Sequence, residues 1–191
     1  MPGIPDKLQA LAIVSIQDAT AAYLKSGNVG KWEKDMQAIL ARLHTASYIS
    51  ATAARLNVSP DSPLISQSRL SRAERADISA QVAGQLKYLR AFAAQVKAGG
   101  MSERAVLARA VSYAGSVKAP YYAARWGEWD IPTRLLPGMQ QCHGNCKCSG
   151  SVVDNGDGTG VWRRVMGGTE YHCTECPQLE GDHEVRRRMA A

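Results

Sequence analysis

All five cysteines of this 191-residue chain lie between Cys142 and Cys176. The alanines have the opposite distribution, since 26 of the 28 precede Pro132. The chain is long enough to bury a hydrophobic core without disulfide staples, so the clustering of cysteines calls for a local explanation. We predict two parts: an alanine-rich helical region over residues 1–126 and a cysteine-rich module over residues 127–191.

Apolar residues recur at three- and four-residue spacing in four segments of the first part, as expected for amphipathic helices. The motif from Ser71 to Glu74 fits a capping box, and Pro120 predicts a kink or a helix end near Lys118. Residues 57–70 are rich in Pro, Ser and Asp and indicate a surface connection. The four predicted helices run from Asp6 to Ser26, Lys31 to Leu56, Ser71 to Ala98 and Ser102 to about Lys118.

The segment from Tyr121 to Trp129 holds four of the twelve aromatic residues of the chain. Aromatic side chains supply large contact areas, so this segment is predicted to form a hydrophobic seam between the two parts. The alternative is a docking patch for another protein. Alanine-rich helix faces bury little area, and we therefore expect the helical layer to gain stability by packing against a partner.

The cysteine spacing indicates a structural zinc site. The Cys173-x-x-Cys176 turn lets two sulfurs face one ion, and the segment from Cys142 to Cys148 offers three more. A pair of disulfides is the alternative, but clustered cysteines in a reducing compartment more often hold metal. Four of the five thiolates suffice, with Cys142 joined by either Cys146 or Cys148, and His143 and His172 are further candidates. The predicted metal ligands are Cys142, Cys146, Cys148, Cys173 and Cys176.

A β-hairpin is predicted between the two cysteine groups. Ser151–Val153 and Val161–Val165 are strand-like, and the Asp- and Gly-rich residues between them favour a turn. This turn does not match a calcium loop, because Val165 stands where a bidentate Glu is needed. The predicted fold is mainly α: a four-helix N-terminal region followed by a small cysteine-rich zinc-binding β-hairpin module and a C-terminal tail.

The motif content favours a protein without enzymatic activity. Catalysis by zinc needs an open coordination position with a nearby acid or base, for which Glu170, Glu175 and His183 are the candidates. Enough cysteines are present to close the shell instead. The sequence also has no phosphate-binding Gly-rich loop, no serine nucleophile elbow and no thioredoxin-like context for its Cys-x-x-Cys.

Formal charge gives a second candidate function. The net charge of +6 divides into +5 for residues 1–100 and +1 for residues 101–191. Together with the arginines Arg186–Arg188, this excess suggests a zinc-ribbon-like nucleic-acid-binding regulator as the alternative. No stretch has the ~18 apolar residues of a membrane span, and the N-terminus lacks a secretory pattern. We therefore expect synthesis in a reducing cytosol and no membrane partner.

The cysteine-rich part resembles tailed-bacteriophage minor head proteins of the head morphogenesis, or Mu-type, family. The resemblance covers about residues 125–185. It rests on the segment Ile131–Gly138, on the Asn-Cys-Lys-Cys element that ends at Cys148, and on the Gly-Gly-Thr-Glu-Tyr-His-Cys-Thr-Glu-Cys element that ends at Cys176. The order of the two cysteine elements is reversed relative to the commoner family pattern, so only the metal-ligand role of these cysteines is carried over.

The resemblance implies a structural role in the virion. Members of the family are minor virion proteins that associate with the portal or inner capsid during head assembly in the host cytoplasm. It implies other virion proteins as partners (portal, capsid or connector), several copies per particle, and contact with DNA if the chain accompanies packaging or ejection. An alanine-rich helical layer that packs on a partner, and a metal-held module beside it, agree with that role.

Overall fold

The computed structural model of the chain describes residues 4–59, 70–138, 148–167 and 176–188. These residues form a mainly helical body with a small three-stranded antiparallel sheet, which confirms the predicted mainly α class. The longer helices are α1 (Ile4–Ser26), α2 (Val29–Leu56), α3 (Arg72–Ala98), α4 (Glu103–Ser112) and α5 (Lys118–Arg125), followed by the single-turn α6 (Cys176–Leu179). The strands are β1 (Ser149–Asp154), β2 (Thr159–Val165) and β3 (Gly181–Arg186). Among the described helices, none has both the length and the apolar character that crossing a bilayer requires.

Side-chain caps set the starts of three helices. The capping box before α3 is confirmed, since Ser71 Oγ accepts from the Glu74 backbone N–H at 3.1 Å and Glu74 Oε2 accepts from the Ser71 N–H at 2.7 Å. The Ser102 hydroxyl caps α4, and the Asn28 side chain caps α2. These local bonds satisfy backbone donors that a helix start leaves unpaired, which is why helix starts could be predicted closely.

The fourth helix ends before Pro120, and the chain continues through that proline as a fifth helix that the four-helix prediction omitted. Helix α4 ends at Ser112, and a 3-10 turn over Tyr113–Val117 leads directly into α5. Pro120 lies in the first turn of α5, where a backbone N–H has no partner within the helix. The proline is therefore compatible with the helix that contains it.

Two hydrophobic clusters form the core. In the first, an aromatic series runs through the helices: Tyr23 stacks on Trp32 with ring centroids 5.2 Å apart, Trp32 meets Phe92 edge-on at 5.3 Å, and Phe92 stacks on Tyr113 at 6.3 Å. Such pairs add to the gain from burying their area. This series ties α1, α2, α3 and the 3-10 turn together.

The second cluster joins the helices to the sheet. Tyr121 and Tyr122 of α5 lie in it together with Trp129, Trp162 of β2 and Val185 of β3. The Tyr122 and Trp162 rings meet edge-on with centroids 6.2 Å apart, and Trp162 is fully buried. The aromatic segment thus forms the seam that was predicted, and the sheet is packed onto the helical body through it.

The sheet has the order β1-β2-β3, with both pairs antiparallel. The predicted hairpin is confirmed as β1 and β2, but the segment expected to be a C-terminal tail contributes the third strand. Two backbone bonds beyond the sheet attach this strand to the aromatic seam: the Asp130 N–H donates to the Arg186 carbonyl at 2.8 Å, and the Arg188 N–H donates to the Glu128 carbonyl at 2.7 Å. The strand is held on both sides.

Two glycines make room for the tryptophans of the seam. A Cβ added at Gly150 would lie 2.1 Å from Cζ2 of Trp162, and one at Gly160 would lie 2.8 Å from Cζ3 of Trp129. Both distances are well inside van der Waals contact. The indole rings therefore lie directly against strand backbone, an approach that only a residue without a side chain permits.

Two basic side chains are buried in the helical body. Lys118, at the start of α5, is 1% exposed, and its Nζ lies 2.8 Å from Oδ1 of Asp6 in the first turn of α1. His44 of α2 is also 1% exposed, and its Nε2 lies 3.1 Å from Oγ of Ser116. Burial makes the charge state of both groups count toward folding stability.

Candidate metal centre

Both cysteine-bearing segments join the sheet at the same end. Cys148 directly precedes β1, and the register pairs its neighbour Ser149 with Val165, the last residue of β2. The register of the next pair sets Arg164 opposite Gly181, the first residue of β3. The start of β1, the end of β2 and the start of β3 therefore lie side by side, opposite the hairpin turn.

The structure describes part of the predicted ligand set. Cys148 is buried, with 1% exposure. Cys176 is the first residue of α6, and its backbone alone is described. Cys142, Cys146 and Cys173 lie outside the described residues, as do His143 and His172. The two described cysteines flank the same sheet end, which brings the attachment points of both groups together.

Hydrogen bonds hold this end of the sheet. The Met166 N–H, just after β2, donates to Oε1 of Glu180 at 3.2 Å, and Nε2 of His183 lies 3.0 Å from the Leu179 carbonyl. A carbonyl oxygen only accepts, so the His183 Nε2 carries the hydrogen. His183 therefore supports the turn between α6 and β3. The other two acid-base candidates, Glu170 and Glu175, lie outside the described residues.

Arg164 is a buried residue at this end that the sequence reasoning missed. It is 1% exposed and donates through Nη1 to the Leu135 carbonyl at 3.0 Å. Strand alternation could have found it, because Arg164 shares a face of β2 with the fully buried Trp162 two residues earlier. Its guanidinium ties the sheet end to the segment that follows the aromatic seam.

The donors available here fit a thiolate-bound structural zinc. Zn²⁺ takes four ligands in a tetrahedron, and two cysteine-bearing segments that attach to one sheet end could supply four sulfurs. Within the described part of the chain, where Cys148 contributes the sole described thiol, there is no group of three or more potential ligands. The fit rests on where the segments attach and on the chemistry of their donors.

The opposite end of the sheet is a tight, hydrogen-bonded turn. Oδ1 of Asp154 accepts from the Gly156 N–H at 2.9 Å, and Oδ1 of Asp157 accepts from the Thr159 N–H at 2.9 Å. Hydrogen bonds from the Thr159 hydroxyl and backbone hold the pKa of Asp157 below its ordinary value. These carboxylates act as turn residues, and Gly156 takes the positive φ that the turn requires.

Acidic partners neutralise part of the arginine charge on the sheet. Arg163 forms a two-pronged ion pair with Asp182 across β2 and β3, at 2.8 Å and 2.9 Å. Donation of these hydrogen bonds to the Asp182 carboxylate raises the pKa of Arg163, and their acceptance lowers the pKa of Asp182. Arg187 pairs with Asp154 and lies over the Trp129 ring, 5.1 Å from its centroid. Arginine charge here serves to hold strands together.

No family model, no curated protein and no solved structure matches this chain. What the structure defines is a class: a mainly helical protein whose aromatic seam carries a small antiparallel sheet, with cysteines attached to one end of that sheet.

Proposed function

We propose that this protein is a structural component of a tailed-bacteriophage head, a minor head or head-morphogenesis protein. It would act by docking onto other virion proteins rather than by catalysis, with a structural zinc site in its cysteine-rich part. Support comes from the family resemblance of the two cysteine elements and from the register of the sheet, which places the attachment points of both elements at one end. The virion, after assembly in the host cytoplasm, is the proposed location.

The single observation that carries the zinc proposal is the register of the sheet. Because β1 begins where β2 ends and β3 begins, the chain entering β1 and the chain linking β2 to α6 leave from one place. When bound, Zn²⁺ contributes folding free energy by crosslinking segments through deprotonated thiols. A crosslink at this end would close the sheet opposite its hydrogen-bonded turn.

The proposed ligands are Cys173 and Cys176 from one element and two thiols from the other. Cys142 is the first of these, and either Cys146 or Cys148 is the second. Residues two apart in an extended chain lie on the same side, so in that conformation both Cys146 and Cys148 would stay close to the metal. Five thiols for four positions imply that one cysteine of the first element can be replaced without loss of zinc.

Docking through a rigid module agrees with how the sheet is attached. Trp162 is fully buried between the strands and α5, and Arg164 is bonded to the Leu135 carbonyl. A module held in this way presents its surface to a partner in a fixed orientation, which reduces the ordering cost of association. Portal, capsid and connector proteins are the proposed partners, with several copies of the chain in each particle.

The nucleic-acid-binding alternative has less support from the sheet. Two of its arginines, Arg163 and Arg187, already pair with carboxylates. Phosphate contacts would have to displace those partners or use other residues, of which Arg186 and Arg188 are exposed. We therefore propose DNA contact only as a secondary property of the protein in the virion.

The zinc site is tested by elemental analysis combined with thiol titration on the full chain, before and after chelation. We expect one zinc per chain, with the metal-bound thiols reactive only after chelation. Cys176→Ser is expected to abolish stoichiometric zinc, and Cys148→Ser serves as the matched comparison for the spare-thiol position. If the protein holds no metal and has fewer than five titratable thiols, the zinc proposal is refuted and the cysteines form disulfides instead.

The virion role is tested by purifying particles and quantifying the protein in them. We expect a fixed number of copies per particle that survives high-salt washing. Presence in infected-cell lysate and absence from purified particles would overturn the proposal. Retardation of DNA at ~50 mM salt, lost steeply as salt rises, would instead favour the nucleic-acid-binding alternative.

A further inference from the structure

The outer face of α1 carries a regular stripe of exposed residues. Three of them are large and apolar: Leu11 is 59% exposed, Val14 55% and Ile4 39%. The opposite face packs against α2, α4 and the 3-10 turn, so the stripe is the side of α1 that the described chain leaves uncovered. All of its members are exposed and follow a spacing of three and four: Ile4, Lys7, Leu11, Val14, Asp18, Ala21 and Lys25.

This spacing is the a/d repeat of a two-helix coiled coil. Sustained over α1, the repeat gives a stripe about 32 Å long at 1.5 Å per residue. Most surface helices have their a and d positions turned inward, toward their own core. Helix α1 has such an inward repeat at Pro5, Gln9, Ala12, Ile16 and Thr20, and it presents a second one outward that ends with the helix itself.

We propose that α1 is a self-association surface and that its occupant is α1 of a second copy of this chain, packed antiparallel about a two-fold axis. An axis between Leu11 and Val14 sets each of these residues opposite the other one in the second copy. The same axis sets Lys7 opposite Asp18, and Ile4 opposite the small Ala21. Every layer then pairs an a position with a d position, as an antiparallel coiled coil requires.

Charge complementarity selects this arrangement over the parallel one. In a parallel pair, Lys7 would face Lys7, Asp18 would face Asp18 and Lys25 would face Lys25. Like charges opposite one another oppose association and so exclude that register. In the antiparallel pair both charged layers are attractive, and Lys25 lies beyond the end of the partner helix. The charges of the stripe therefore favour a second copy of α1 as the partner and an antiparallel orientation of the two helices.

The α1 stripe is short and holds few large apolar residues, so we expect the dimer to be weak. We expect a dissociation constant of about 10–100 μM, typical of interfaces at the small end of the size range. An affinity of that order suits a protein present in several copies at one location, where neighbours raise the effective concentration. This inference does not depend on the proposed virion role or on zinc.

The test is sedimentation equilibrium of the full chain from about 5 to 300 μM. Lys7→Glu alone and Asp18→Lys alone each turn two attractive layers into repulsive ones, and each is expected to weaken self-association about tenfold or more. In a mixture of the two variants, the introduced carboxylate of one chain faces the introduced ammonium of the other, and the second charged layer keeps its native Lys7 and Asp18. Both layers are then attractive, so the mixture is expected to form heterodimers. Lys87→Glu makes the same charge change at an exposed site on α3 and should leave the equilibrium unchanged.

Each part of this experiment can refute the proposal. A wild-type chain that stays monomeric throughout the range would overturn it. So would a dimer that is insensitive to Lys7→Glu, since the interface would then lie elsewhere, or two variants that do not associate when mixed. Circular dichroism of each variant should show the helix content of the wild-type chain, because both sites are exposed.

Discussion

The half-buried ion pair between Lys118 and Asp6 gives a prediction with an unequal outcome for its two partners. Lys118 is 1% exposed, whereas the Asp6 side chain is 47% exposed, and they lie 2.8 Å apart. Removing the carboxylate leaves a buried ammonium without this anionic partner. Removing the ammonium leaves a carboxylate that water can reach. We therefore expect Asp6→Asn to destabilise the fold much more than Lys118→Met.

The size of the expected stability changes follows from the separation and the exposure of the two side chains. At the 2.8 Å separation, Coulomb's law with an effective dielectric constant of 20 gives about 6 kcal/mol of gross attraction. Most of it offsets the cost of taking the Lys118 ammonium out of water. Breaking a fully buried pair costs about 3–5 kcal/mol, and the half-exposed state of Asp6 reduces this to about 2–4 kcal/mol for Asp6→Asn. Lys118→Met fills the same space with an apolar chain and should change stability by less than about 1 kcal/mol.

The assay is urea unfolding of the full chain at pH 7, monitored by circular dichroism. The double variant Asp6→Asn with Lys118→Met is expected to recover most of the stability that Asp6→Asn loses, because no buried charge remains. Equal losses from the two single substitutions, or a double variant as unstable as Asp6→Asn alone, would refute the reasoning. The first result would mean that packing around Lys118, rather than charge, sets its contribution.

Three further predictions concern other parts of the fold. Gly150→Ala should cost about 2–3 kcal/mol in urea unfolding, because the new methyl would overlap the buried Trp162 ring, whereas Gly84→Ala on the open face of α3 should add up to about 1 kcal/mol. Burial lowers the pKa of His44 to about 4 from 6.5, so the folded state resists protonation and loses up to about 3 kcal/mol as pH falls from 6.5 to 4. A His44→Gln chain should lack this part of the pH dependence, and an unchanged profile would contradict the assignment. Ser71→Ala should lower stability by about 1 kcal/mol in thermal unfolding through loss of the α3 cap; an unchanged melting temperature would mean that the cap contributes nothing.

The resistance of His44 to protonation has a clear structural cause. The Ser116 hydroxyl donates to the Tyr113 carbonyl at 2.7 Å, so it must accept from the Nε2–H of His44. The neutral ring then keeps its lone pair on Nδ1, which is buried without a hydrogen-bond partner in the described part of the chain. A proton there would add both a buried charge and a donor with no acceptor.

The elements that could be predicted are those whose signals are local. The caps at Ser71 and Ser102 act within one helical turn, and the hairpin turn is made by residues close in sequence. Strand β3 was missed because its residues 181–186 alternate weakly and its pairing partner is a distant strand. Helix α5 was missed because Pro120 was treated as an end, although its position in a first turn is compatible with helix.

The candidate metal centre likewise has features that the sequence predicts and a feature that depends on the fold. The number, spacing and chemistry of the cysteines are properties of the chain itself, and they are sufficient to propose zinc. That both cysteine elements reach one end of a sheet depended on the register of β1, β2 and β3, which arises from pairing between residues far apart in sequence. The register of a buried sheet is selected by which side chains it places in the core, here Trp162 and Val185.

Local patterns along the chain set the division into an alanine-rich helical part and a cysteine-rich part, the helix starts and the seam of aromatic residues. Which charged groups are buried and which apolar groups are exposed depended instead on how the helices pack. Lys118 and Leu11 show the reason: the first is a cation inside the body and the second a large aliphatic residue outside it. Burial is a property of how helices pack against one another, and residue type alone does not set it. The exposed stripe on α1 and the Lys118–Asp6 ion pair both result from that packing.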